Sequence, residues 1–118
     1  NWAKLKAIAE GDVSKIVGFA GSPGTVEGRA RVCRTIGEIT ELQEGEILVS
    51  TTTSPSWAPA FQKIKAAVTD VGGVMCHAAI VCREYGLPAV VGTGSATSRI
   101  KTGQMIRVDG TAGEIDIL

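Results

Sequence analysis

An α/β fold, with short strands and short helices alternating along one domain, is predicted by three features of this sequence. Of 118 residues, 44% are hydrophobic but only 4% aromatic, so the core must be built from Val, Ile, Ala and Leu. Short apolar runs suited to strands interleave with segments of helical period, the pattern of α/β or mixed architectures. Glycine accounts for 15 residues, roughly twice its usual share, and much of it punctuates these runs.

The elements follow in order. Residues 1–15 carry Trp2, Leu5, Ile8 and Ala9 at helical spacing until Gly11, a linker or terminal helix too short to stand alone. The domain proper is expected over 16–118. Ile16-Val17-Gly18-Phe19-Ala20 is a first strand, followed by a Gly21-Ser22-Pro23-Gly24 turn, and Thr25–Cys33 alternates as a second. Ile36, Ile39 and Leu42 mark a short helical turn, closed at Glu44-Gly45, and Glu46–Ser50 is a third strand. Ser54 suits a helix N-cap with Pro55 at the first helical position, and Trp57, Ala60, Phe61 and Ile64 form one apolar face. Ala66–Thr69 is a fourth strand ending at Asp70. A helix over His77–Tyr85 is stopped by Gly86, with Pro88 beyond it. Ala89–Gly92 is a fifth strand, and Met105–Val108 pairs with Glu114–Ile117 around Asp109–Gly113.

Charge and composition exclude several functions. Twelve Lys+Arg balance twelve Asp+Glu, so the electrostatic footprint of a nucleic-acid or anionic-membrane binder is missing. No apolar run reaches the ~18 residues of a membrane span, and the first residues carry no signal-peptide pattern. Three cysteines, Cys33, Cys76 and Cys82, cannot all pair, which fits a reducing cytoplasm.

The chemistry is expected between Asp70 and Gly92. Gly72 and Gly73 let the backbone turn sharply, and the next helix presents unpaired amides and the positive end of its dipole, an anion site. His77, the single histidine, stands at that opening, where an imidazole could accept a phosphoryl group. A lone histidine is more often structural or solvated, and glycine-rich loops alone are weak signals. No Walker lysine follows Gly73, which argues against a nucleotide P-loop. Cys76, His77 and Cys82 lack zinc spacing and a fourth ligand, so no metal is expected. Adjacent Cys76 and His77 side chains diverge, which excludes a catalytic dyad, and Cys82 reads as core.

The run Gly72-Gly73-Val74-Met75-Cys76-His77-Ala78-Ala79-Ile80-Val81-Cys82-Arg83-Glu84-Tyr85-Gly86-Leu87-Pro88-Ala89-Val90-Val91-Gly92 resembles the signature of the phosphohistidine swivelling domain of phosphoenolpyruvate-utilising enzymes. These include phosphoenolpyruvate synthase, pyruvate phosphate dikinase, rifampin phosphotransferase and phenylphosphate synthase. The resemblance extends over about residues 17–118, through Gly21–Gly24, Thr53-Ser54-Pro55-Ser56-Trp57 and Val108-Asp109-Gly110. It implies a compact β/β/α domain of layered sheets with short helices. It further implies that His77 takes a phosphoryl group from an ATP-grasp domain and delivers it to an acceptor bound by another domain. Gly72, Gly73, Cys76 and Ala78 would shape or supply backbone to the phosphate site. ATP and Mg²⁺ would be held by those partner domains, in the same chain or another subunit, and the isolated domain would be inactive alone.

The sequence leaves two alternatives: a carrier like enzyme I of the sugar phosphotransferase system, and a non-catalytic swivelling or docking module. The residues after His77, Ala78–Glu84, favour the dikinase branch over enzyme I. One departure stands out. Many synthases and dikinases of this family carry, two residues before the histidine, a threonine that a regulatory kinase phosphorylates. Here that residue is Met75, so escape from this control is expected.

Overall fold

In the computed structural model, residues 15–34, 36–53, 57–73 and 75–118 are described. The linker reading of residues 1–14 and the Ser54–Pro55 helix start lie outside them, while Lys15 belongs to the first strand. The strands are β1 (Lys15–Val17), β2 (Phe19–Ser22), β3 (Thr25–Val32), β4 (Ile47–Ser50), β5 (Ala66–Thr69), β6 (Ala89–Val91), β7 (Met105–Asp109) and β8 (Glu114–Ile117). A 3₁₀ turn spans Ile36–Glu41, and the helices are α1 (Ala58–Phe61), α2 (His77–Tyr85) and α3 (Ala96–Arg99).

The strand order is β1-β8-β7-β3-β4-β5-β6-β2. β3 serves two sheets. Its first half, Thr25–Arg29, pairs antiparallel with β7, and its second half, Ala30–Val32, pairs parallel with β4. From there β4, β5 and β6 run parallel, and β2 closes that edge antiparallel.

The expected single strand over 16–20 is two strands. Lys15–Val17 pairs with β8, whereas Phe19–Ser22 pairs with β6, at the opposite edge. Gly18 makes the crossing. Its amide donates to Gly113 O at 2.9 Å, and a Cβ there would lie 2.5 Å from Val91 O. An apolar run reads as one strand because periodicity does not register a change of partner.

Alternation along the central strands builds two cores. Ile47, Val49, Ala66, Val68 and Val90 face one cluster with Ile16, Ile106, Val108 and Ile115 from the other sheet. Leu48, Ala67, Ala89 and Val91 face the second, with Ala60 and Phe61 of α1 and Ala78, Ala79 and Cys82 of α2. The layers are therefore sheet, sheet and helix, the expected β/β/α order. Strands buried on both faces explain the unbroken apolar runs at β4–β6. Small residues set the helix spacing: a Cβ at Gly21 would meet the Ala79 Cβ at 3.2 Å.

Two helical expectations change. The helix through Trp57 and Ile64 is only Ala58–Phe61, although Trp57, Ala60, Phe61 and Ile64 are all buried. Lys63 and Ile64 amides both bond to Ala60 O, turning the chain towards β5. α3 was not anticipated, because four residues, Ala96-Thr97-Ser98-Arg99, contain no readable period. By contrast α2 and its stop match expectation. Gly86 is left-handed (φ 72°), and its amide and that of Leu87 cap Cys82 O.

Before β4, Glu46 accepts two bonds from the Arg31 guanidinium, each 3.1 Å, and one from the Gln43 amide at 2.7 Å. Burial pushes its carboxyl pKa up, but the hydrogen bonds from Arg31 and Gln43 and the nearby arginine charges outweigh this and leave it lowered. A lowered native pKa stabilises the fold above the unfolded carboxylate pKa, and the contribution is lost as pH falls through the native value. Glu46→Gln should therefore cost about 1–3 kcal/mol at pH 7, read by urea unfolding. The gap to the parent should narrow below the ordinary glutamate range. An undiminished gap at acid pH would contradict this assignment.

Candidate functional site

The parallel strands β4, β5 and β6 end side by side, and the carboxyl edge of a parallel sheet is where ligand sites form in α/β folds. Three segments leave that edge. The first two stay joined: Asp70 N donates to Ser50 O at 3.0 Å and Val71 N to Thr51 O at 2.9 Å. The third is tied to the second by Thr93 N to Thr69 O at 3.1 Å and Gly94 N to Asp70 O at 2.9 Å. The Asp70 carboxylate accepts the Thr97 amide at 3.1 Å, the Thr97 hydroxyl, and the Thr93 hydroxyl at 3.3 Å. The base of the glycine loop is thus fixed from both sides.

Within the loop, Gly72 has φ +125°, and a Cβ there would stand 2.8 Å from Cys76 Sγ. Only glycine fits. Gly92 (φ +66°) is similar, since its Cβ would meet Gly72 O at 2.6 Å. Gly73 is exposed, and its carbonyl accepts the Cys76 amide at 3.0 Å. Cys76 therefore shapes the loop through its own N–H. As the N-cap of α2 it makes no side-chain cap bond, so its thiol supplies no acceptor to the first-turn amides. Ala78 points into the core at 2% exposure and can bring only backbone to the opening.

His77, the first residue of α2, is half-buried. Its Nδ1 lies 2.8 Å from Oγ1 of the buried Thr53. The Phe61 ring meets it edge-on, with centroids 5.8 Å apart and planes at 79°. Helix, hydroxyl and aromatic ring together orient the imidazole. With Nδ1 occupied by Thr53, Nε2 is the nitrogen left for chemistry; if Nδ1 carries the proton and donates it to Thr53, Nε2 holds a lone pair.

Of the residues expected at the site, Gly72, Gly73, Cys76 and His77 share the opening, and Ala78 adjoins it from the core side. Thr53 and Phe61 were missed as imidazole partners. Thr53 falls in the Thr53–Trp57 stretch that shares the family resemblance and Phe61 on a core face, but no local pattern ties either to a residue so distant in sequence. Cys82 and Cys33 are core residues with 0% exposure, and burial pushes their thiols up to about 12 and about 11. Among the described residues no three His, Cys, Asp or Glu side chains gather as a metal site, and no helix is long and apolar enough to cross a membrane.

The family model of the PEP-utilising enzyme, mobile domain, matches residues 42–113, a stretch that contains the glycine loop and His77. The chain belongs to the mobile-domain family of PEP-utilising enzymes. A rifampicin phosphotransferase from Streptomyces sviceus is 55% identical over 103 residues, 87% of this chain and 12% of that protein. A phosphoenolpyruvate synthase from Aeropyrum pernix is 44% identical over 111 residues, covering 93% and 13%. A solution structure of Enzyme I superposes with a TM-score of 0.59 at 33% identity, covering 67% of this chain and 33% of that one. This mobile domain thus spans about an eighth of the phosphotransferase and synthase it matches, each of which carries much more chain.

The mobile domain leaves Met75 73% exposed beside the loop, with no hydroxyl at that position. Cys76 is the one cysteine of the three that is not fully buried. Iodoacetamide at pH 8 should therefore alkylate Cys76 at least roughly tenfold faster than Cys33 or Cys82 in the native protein, with all three reacting in urea. Peptide mapping that found Cys82 modified first would contradict this packing of α2.

Proposed function

We propose that the domain carries a phosphoryl group on Nε2 of His77, accepting it from an ATP-grasp nucleotide-binding domain and delivering it to an acceptor on a further domain. The whole enzyme is then a dikinase-like phosphotransferase. The single observation that carries this reading is the 2.8 Å contact between His77 Nδ1 and Thr53 Oγ1 at the opening of α2. It leaves the only imidazole of the chain anchored by one nitrogen and available by the other.

The chemistry follows from that anchoring. The Nε2 lone pair forms an N–P bond as the donor's P–O bond breaks, and the departing phosphate oxygen keeps the electron pair. Positive charge grows on the ring, and an Nδ1–H donating to Thr53 stabilises it through a charge-assisted hydrogen bond. The first-turn amides of α2 face the arriving negative charge. Return transfer reverses these steps.

Thr53, Phe61, Gly72, Gly73, Met75 and Cys76, which frame the opening, are all uncharged. Phosphoryl transfer needs metal and cationic clamps on the moving charge, so ATP and Mg²⁺ belong to the partner domain in this reading. The domain by itself should neither hydrolyse ATP nor hold it at micromolar affinity.

Likeness to Enzyme I at 33% identity favours a second reading, an Enzyme I-like carrier, for which we take phosphoenolpyruvate rather than ATP as the donor. Donor dependence separates the two. The full-length enzyme given ATP labelled at each phosphate in turn, or labelled phosphoenolpyruvate, should gain an acid-labile, base-stable label from ATP. His77→Ala should abolish it, and Thr53→Val should slow it by roughly tenfold, the kinetic weight of about one hydrogen bond. Cys33→Ala and Cys76→Ala should still label. Label retained in His77→Ala would overturn carriage on this residue, and label from phosphoenolpyruvate alone would favour the second reading.

A further inference from the structure

Ser50 and Thr69 are partners in register at the carboxyl ends of the parallel strands β4 and β5. Both are buried, each with 1% exposure. Each hydroxyl makes the same bond: Ser50 Oγ donates to Thr52 O at 2.7 Å, and Thr69 Oγ1 donates to Val71 O at 3.0 Å. In both strands the hydroxyl reaches the carbonyl two residues ahead and bends the chain as it leaves the sheet, a local competitor to continued strand. One bent segment delivers Thr53; the other delivers the glycine loop and then His77.

We propose that Ser50 and Thr69 are positioning residues for His77. Together they set the Thr53–His77 hydrogen bond and through it fix which ring nitrogen carries the proton. This deepens the carriage reading given above and rests on it for its functional meaning. The geometry narrows the role. The two hydroxyls spend their bonds on carbonyls within their own outgoing segments, so they brace neither core. The segments they bend are linked to each other by the Asp70–Ser50 and Val71–Thr51 backbone bonds, and they reunite at the 2.8 Å contact between Thr53 and His77. Loss of either bend moves one end of that contact while the other stays put. A hydrogen bond weakens steeply with distance and angle, so a small displacement is enough to release Nδ1.

The test reads the imidazole directly and needs no phosphoryl donor. Ring ¹⁵N shifts of His77, the single histidine, report the ratio of the two neutral tautomers in the intact protein. The parent should hold the proton on Nδ1. Ser50→Ala and Thr69→Val each remove one oxygen with little change in volume, and each should move the tautomer ratio towards Nε2–H by roughly fivefold, the equilibrium weight of about one hydrogen bond. Thr69→Ser keeps the hydroxyl and should stay near the parent. In a Thr53→Val background, where Nδ1 has no hydroxyl partner, neither Ser50→Ala nor Thr69→Val should shift the ratio further.

Unchanged ring shifts in Ser50→Ala and Thr69→Val, with Thr53→Val shifted, would overturn the proposal, as would effects that persist in the Thr53→Val background. If Ser50→Ala fails to fold, the Thr69→Val and Thr69→Ser pair decides alone. Failure of the carriage reading would appear instead as a normal tautomer in a protein that takes no label on His77, so the two failures are distinguishable.

Discussion

Two backbone hydrogen bonds, Asp70 N to Ser50 O and Val71 N to Thr51 O, carry the parallel pairing of β4 and β5 beyond the ends of both strands. Thr53 and His77 stand 24 positions apart in sequence, and this continuation of the sheet brings their side chains to hydrogen-bond distance. The third parallel strand contributes a brace from the other side. Its outgoing segment ties back to Thr69 and Asp70, and the Asp70 carboxylate holds Thr93 and Thr97. A glycine loop is flexible by composition, yet this one is anchored at its base and shaped by a close approach at Gly72. The flexibility that glycine lends the unfolded chain is spent on a single folded conformation.

The layered architecture serves the same end. The buried face of α2, Ala78, Ala79 and Cys82, is small enough to let the helix lie close on the parallel sheet, and so its first turn opens at the sheet's carboxyl edge. Phe61, from the short helix α1, belongs to this core and also meets the His77 ring. Packing and imidazole orientation are therefore one set of contacts. The proposed carrier role needs a fixed orientation and one accessible nitrogen; Thr53 and Phe61 supply the first, and the described residues that frame the ring, Thr53, Phe61, Gly72, Gly73, Met75 and Cys76, are uncharged.

Legibility in the sequence varied with the range of the interaction. β3, β5, α2, the Gly86 stop and the closing hairpin were readable because each is set by local period or by one residue's backbone preference. Gly72, Gly73, Cys76 and His77 were readable as a loop and helix start for the same reason. What escaped was decided between distant segments. The split at Gly18 depends on β6 and β8 claiming opposite sides of one apolar run. α3 depends on acceptors from Thr93 and Asp70 rather than on its own period. The Thr53 hydroxyl and the Phe61 ring find His77 only after β4, α1 and β5 have been laid side by side. Gly110 gives the same lesson at the far end, where a Cβ would fall 1.8 Å from Ser22 O, a constraint no turn motif reveals.

The fold holds His77 by Nδ1, and in the proposed role it presents the ring by Nε2. Locating the N–P bond in the phosphorylated full-length protein tests it most directly. With ¹⁵N-labelled histidine, one-bond ³¹P–¹⁵N coupling identifies the phosphorylated nitrogen, and the ring shifts identify the protonated one. Phosphorus is expected on Nε2, with Nδ1 protonated and bonded to Thr53. Phosphorus on Nδ1, or on any residue other than His77, would contradict it.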